Sequence, residues 1–177
     1  MSFADDIFAR PAPVLGCAKA LRGNPLDVFA RLAIAENMDH ERASENELHL
    51  TLAGFWCAHD VSIVWNRARE QIDLVLPFDN RAPGGRSDDM CRLVSLLNER
   101  LRCGHFDFWG GEDSLVYRNS LSLAGGARLK IEQAMAMLAG ALDAAERGYP
   151  ACQYVLWAGK TPEEALDTAL LDIAVHG

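Results

Sequence analysis

Lysine is scarce in this sequence. Its 3 lysines and 14 arginines face 25 aspartates and glutamates, leaving a formal net charge of −8 over 177 residues. An acidic chain without a basic stripe lacks the electrostatic footprint that nucleic acid or an anionic membrane surface requires, so neither is expected as a partner. Long apolar runs are missing too. The longest uncharged stretches, Leu48 to His59 and Gly148 to Gly159, fall short of the ~20 apolar residues that span a bilayer, and both carry turn signals. The opening Met1-Ser2-Phe3-Ala4-Asp5-Asp6 is acidic where a secretory signal is basic. Asp5, Asp6, Arg10 and Pro11 interrupt the segment before Val14-Leu15-Gly16-Cys17, which therefore does not read as a lipoprotein cleavage box. A cytoplasmic chain is expected.

Cys-x-x-Cys pairs are absent. Cys17, Cys57, Cys91, Cys103 and Cys152 are odd in number and widely spaced, the pattern of small apolar fillers and not of a disulfide framework. There is no Gly-x-Ser-x-Gly elbow, and the glycine pairs at 84–85, 110–111 and 125–126 match no phosphate-binding fingerprint. Asp88-Asp89 and Glu163-Glu164 fall in the first turns of expected helices, where the helix dipole favours carboxylates. No catalytic residue and no cofactor is assigned, and the chain is not expected to be an enzyme.

One constellation has the ligand types of a zinc site: Cys57-x-His59, Cys103-x-His105 and His49. Hairpin geometry divides it. If Ala53-Gly54 is a two-residue turn, Leu52 faces Phe55, Leu50 faces Cys57 and Leu48 faces His59, with His49 on the opposite face. Cys57 then sits among Phe55, Val61 and Ile63 on the apolar side. Core cysteines and rim histidines are expected, without metal.

What the sequence does have is periodicity. Half its residues are hydrophobic and 24% are charged, as in a soluble globular domain. Residues 1–23, with two prolines and weak periodicity, read as an irregular arm, and 24–177 as a single domain. Asn24-Pro25 starts a helix that ends near Asn37. Period two then takes over. Leu48, Leu50, Leu52, Phe55, Val61, Ile63, Ile72 and Leu74 are expected to share one buried face of a three-strand meander. Ser87 is expected to cap a helix along Met90, Leu93, Val94, Leu97 and Leu101, and two strands follow at about 105–109 and 115–123. Gly125-Gly126 opens a long helix with its face along Ile131, Met135, Leu138 and Leu142, stopping at Gly148. A short helix begins at Pro150, and the capping box Thr161-Pro162-Glu163-Glu164 starts the last one. Strand runs interrupted by helices, without βαβ alternation, give an α+β fold with an antiparallel sheet of about five strands.

Three blocks carry a resemblance. They are Asn98-Glu99-Arg100-Leu101 with Gly104-His105-Phe106 and Trp109; Tyr117-Arg118-Asn119 running to Leu123; and Glu146-Arg147-Gly148-Tyr149-Pro150-Ala151-Cys152-Gln153-Tyr154-Val155-Leu156-Trp157-Ala158-Gly159-Lys160. Over roughly residues 24 to 175 the chain resembles the YbjN family of bacterial proteins, described as sensory transduction regulators. The resemblance implies a type III secretion chaperone-like fold with extra C-terminal helices, a protein partner, and pairing as a homodimer. It implies no catalytic residues. The expected activity is that of a non-catalytic, chaperone-like adaptor or regulator, the alternative being a small-molecule sensor or enzyme with a pocket between sheet and helices. Tyr149, Pro150, Gln153, Tyr154, Trp157 and Lys160 are the candidate interaction surface. Against it stands a reading in which the segment is covered by the sheet and the last helix. Tyr154 to Trp157 is apolar almost all round, so Trp157 is expected to be buried within its own chain.

Overall fold

The computed structural model describes residues 23–81 and 86–176. The irregular arm expected over 1–23 lies, but for Gly23, outside the described residues, as do Cys17 and Gly84-Gly85. Asn24 opens helix α1 (Leu26–Ala35) by accepting the Leu26 amide on its side-chain oxygen at 3.0 Å. Strands β1 (His40–Ser44), β2 (Glu47–Ala53), β3 (Ala58–Asn66) and β4 (Gln71–Arg81) follow, then α2 (Ser87–Asn98), β5 (His105–Trp109), β6 (Ser114–Ser122), α3 (Ile131–Leu156) and α4 (Pro162–His176). The fold is α+β. The strands form one sheet in the order β1-β2-β3-β4-β6-β5, antiparallel throughout.

The sheet has six strands where about five were expected. The added one, β1, reads His-Glu-Arg-Ala-Ser and is exposed at every position. With Ala43 as its one apolar residue, this edge strand leaves no period-two signal.

The β2–β3 turn is longer than expected. Ala53 pairs with Ala58, Leu52 with His59, Leu50 with Val61 and Leu48 with Ile63. The turn is therefore the four residues Gly54–Cys57, closed by Gly54 N–H donating to Cys57 O at 3.1 Å. The register moves by four residues, which preserves which face each side chain takes. Leu48, Leu50, Leu52, Val61, Ile63, Ile72 and Leu74 are accordingly buried, but Phe55, now inside the turn, is 65% exposed.

Helix α1 covers β2 and β3, α3 covers β4 and β6, and α2 packs against β5, while α4 packs on α2 and α3. The opposite face carries the row Glu41, His49, Ser62, Val75, Arg118 and His105, one residue from each strand. At the head of α2, Arg86 occupies the cap position and Ser87 is the first helical residue without a side-chain cap. Arg86 bonds instead to Asp89 at 3.0 Å and to the Lys160 carbonyl at 3.0 Å.

Helix α3 departs most from expectation. Gly125-Gly126 lies in a short 3₁₀ turn, and α3 starts later and runs unbroken for 26 residues through Gly148 and Pro150. Gly148 is a packing glycine, not a stop: a Cβ there would meet the Phe106 ring at 2.7 Å. The buried face of α3 is also rotated. Ala134, Ala141, Ala144 and Ala145 are fully buried, whereas Ile131 and Met135 are exposed. Small side chains let the helix approach the sheet closely, and a search for large apolar residues passes over them. The capping box at α4 forms as expected, with Thr161 N–H to Glu164 at 3.1 Å and Glu164 N–H to Thr161 at 3.3 Å.

Candidate functional site

Because α3 is continuous, Glu146, Tyr149, Gln153 and Trp157 fall at i, i+3, i+7 and i+11, one row along the helix. The row runs beside the Gly54–Cys57 turn. The Phe55 N–H donates to Glu146 Oε1 at 2.8 Å. Gly54 admits this contact because a Cβ there would strike the Glu146 carboxylate and come within 2.7 Å of Cys57 O. One turn further, the Tyr149 hydroxyl lies within hydrogen-bonding reach of Cys57 and Gln153. The Tyr149 ring packs edge-on to His59, with centroids 5.8 Å apart. His59 is 4% exposed and also touches the Phe78 ring.

The six residues expected as an interaction surface therefore divide. Tyr149, Gln153 and Trp157 share the row. Pro150 is buried. Tyr154 and Lys160 face α4: the Tyr154 hydroxyl donates to Asp172 at 2.5 Å, and Lys160 Nζ donates to Thr168 at 2.7 Å and sits 5.1 Å over the Tyr154 ring. Trp157, expected to be buried, is 66% exposed. The reason is helical phase. With no break at Gly148, Cys152, Val155 and Leu156 turn toward the core and α4, and Trp157 closes the helix on the outside. Sequence reasoning missed Glu146, Gly54 and Trp56 here. A Gly followed by three apolar residues at a strand end was the available signal for a longer turn. Trp56 stands edge-on to Phe55 at 5.0 Å, and its indole Nε1 is buried without a hydrogen-bond partner.

The cysteine–histidine set divides as well. Cys57 Sγ lies 3.8 Å from both ring nitrogens of His59. His49 is on the other face, 3.0 Å from Glu47, and Cys103 and His105 are exposed. Among the described residues no group of three or more His, Cys, Asp or Glu could hold a metal ion. Burial raises the Cys57 thiol above its usual range and lowers the His59 imidazole, the latter against the pull of Glu146 and Asp60. A sulfur equidistant from two nitrogens is in line with neither lone pair, and a protonated thiol beside a neutral imidazole is not an activated nucleophile. The pair packs the turn onto the helix.

Both sheet edges are obstructed. Asn98 donates to Phe106 O at 3.0 Å and accepts from Phe106 N–H at 2.7 Å, closing the β5 edge. On β1, the pairing is irregular between Glu41 and Ser44, and Arg42 bonds to the carbonyls of Ser44 and Glu45. Among the described residues no helix is long and apolar enough to cross a membrane.

Comparison with curated proteins finds none that matches the chain. Among solved structures, the crystal structure of YbjN, "a putative transcription regulator from E. coli", is similar at a TM-score of 0.47 and 15% sequence identity, over 85% of this chain and 92% of that one. The model of the YbjN family, "Putative bacterial sensory transduction regulator", matches residues 25–154. That span starts just before α1, takes in the whole sheet and ends within α3 at Tyr154, and the chain belongs to the YbjN family.

Proposed function

We propose that this chain is a non-catalytic protein-binding module, an adaptor or regulator that docks a partner along the Glu146–Trp157 row and the adjoining Gly54–Cys57 turn. The observation that carries this reading is Trp157, 66% exposed at one end of the row. Large aromatics anchor protein interfaces because they bury much area at little conformational cost. Phe55, 65% exposed, stands in the turn held by Glu146 at the other end of the row. The Glu146 contact holds the turn in place, so little ordering remains to be done on binding. The obstructed edges disfavour strand addition. The protonated thiol and neutral imidazole favour a binding role over catalysis. A reducing, cytoplasmic setting suits the free thiols Cys57, Cys91, Cys103 and Cys152.

The partner includes a second copy of the chain as one case, and light scattering separates it. Wild type and Trp157→Ala are compared by scattering across micromolar concentrations and by chemical cross-linking with extract from the native host. The expected result is a heavier species or a cross-linked partner for wild type that Trp157→Ala loses while keeping its far-ultraviolet circular dichroism. A wild-type chain that stays monomeric and cross-links to nothing defeats the reading.

A further inference from the structure

At the end of the sheet opposite the Gly54 turn, a groove of about 660 Å³ opens between α1, the β3–β4 connection and the segment leading into α3. Its walls are part apolar and part charged. Trp65, half-buried, supplies a flat surface, with Val28 and Leu129 beside it. Three arginines, Arg31, Arg67 and Arg128, also line it. Their states differ. Arg67 is engaged by Glu45 and by Asn46 Oδ1 at 2.9 Å. For Arg31 and Arg128 no hydrogen bond or ion pair is found among the described residues. The carboxylates of the wall are partly committed as well: Asp27 pairs with Arg42 at 3.3 Å and Glu45 with Arg67.

In a chain with a net charge of −8, two guanidinium groups without a partner among the described residues line the same groove as an indole. The groove sits near the start of α1, but the first amides there are already bonded, Leu26 to the Asn24 side chain and Asp27 and Val28 to the carbonyls of Asn24 and Pro25. The arginines supply guanidinium donors for a ligand. Guanidinium matches phosphate or carboxylate with paired hydrogen bonds, and an aromatic face accepts a flat apolar body.

We propose that this groove binds a small organic anion, with a flat apolar body against Trp65 and a phosphate or carboxylate held by Arg31 and Arg128. The site is separate from the α3 row and does not rest on it.

Calorimetric titration of the full chain with 1-naphthyl phosphate tests the proposal. 1-Naphthol, which has the body without the charge, and inorganic phosphate, which has the charge without the body, are the comparisons. Saturable one-to-one binding of naphthyl phosphate is expected, with both comparison compounds at least tenfold weaker. Arg31→Gln/Arg128→Gln, two exposed positions, should weaken it at least tenfold with an unchanged melting temperature, and Trp157→Ala should leave it unaltered. The absence of saturable heat, naphthol binding as tightly as its phosphate, or an undiminished affinity in the double variant would each overturn the assignment.

Discussion

The carboxylate of Glu146 accepts the backbone N–H of Phe55 at 2.8 Å, joining positions 91 residues apart. It satisfies a turn amide that the β2–β3 ladder leaves over, and it fixes where the turn lies on α3. A carboxylate accepting a backbone N–H is a charge-assisted bond, and its partner here is a main-chain group that has no rotamer to lose.

Removing either side of this latch should loosen the turn by different routes. Glu146→Ala deletes the acceptor and should lower stability by about 1–2 kcal/mol. Gly54→Ala keeps the acceptor but puts a Cβ against the same carboxylate and within 2.7 Å of Cys57 O, so the turn must shift, at a cost of about 1–3 kcal/mol. Because both act at one contact, the double variant should lose less than the sum. Urea denaturation of the three variants measures this, and strictly additive losses would mean that the two residues act independently.

Trp157→Ala should change stability by no more than about 0.5 kcal/mol, since the side chain is 66% exposed at the end of α3. Burial within the chain would instead make the truncation cost about 3–5 kcal/mol. A thermal melt separates two outcomes this far apart, and a large drop would place the indole inside the core.

The fold class was legible because period-two and capping signals are local. Leu48, Leu50 and Leu52 alternate whatever the turn does, and Thr161 finds Glu164 within one helical turn. The errors arose where tertiary contact overrides a local rule. Glycine reads as a helix stop, but Gly148 is glycine because Phe106 lies against it. A two-residue turn is the common hairpin link, yet Gly54 begins a four-residue turn because Glu146 reaches it from α3. Of the six residues read as a candidate surface, three lie along one row of α3. Tyr149, Gln153 and Trp157 share a row only if the helix runs through Pro150, and the sequence signals a break there.

Gly148 gives a sign test of that continuity. In an exposed helix interior, Gly→Ala stabilises by about 1 kcal/mol. Here the new methyl would meet the Phe106 ring at 2.7 Å and Phe78 at 3.4 Å, and rings packed between helix and sheet have little room to retreat. Gly148→Ala should therefore destabilise, by about 1–3 kcal/mol. A stabilising effect in urea titration would show that position 148 faces open space, as it would if the helix ended there.

His59 sets a pH dependence. The imidazole is 4% exposed and packed between the Phe78 and Tyr149 rings. Burial lowers its pKa in the fold, although the Glu146 and Asp60 charges pull the other way. Unfolded, it titrates near its ordinary value of about 6.5. Between the lowered folded value and 6.5, the unfolded chain binds a proton that the folded chain does not, so stability rises with pH in that window. The contribution is complete above about pH 6.5 and is lost as pH falls through the folded value. His59→Phe removes the titration and keeps an apolar ring in the site. Measured by urea midpoint, wild type should lose more stability than His59→Phe between pH 7.5 and 5.5. Parallel pH profiles would show that the imidazole titrates alike in the folded and unfolded chain, the pull of Glu146 and Asp60 cancelling the effect of burial.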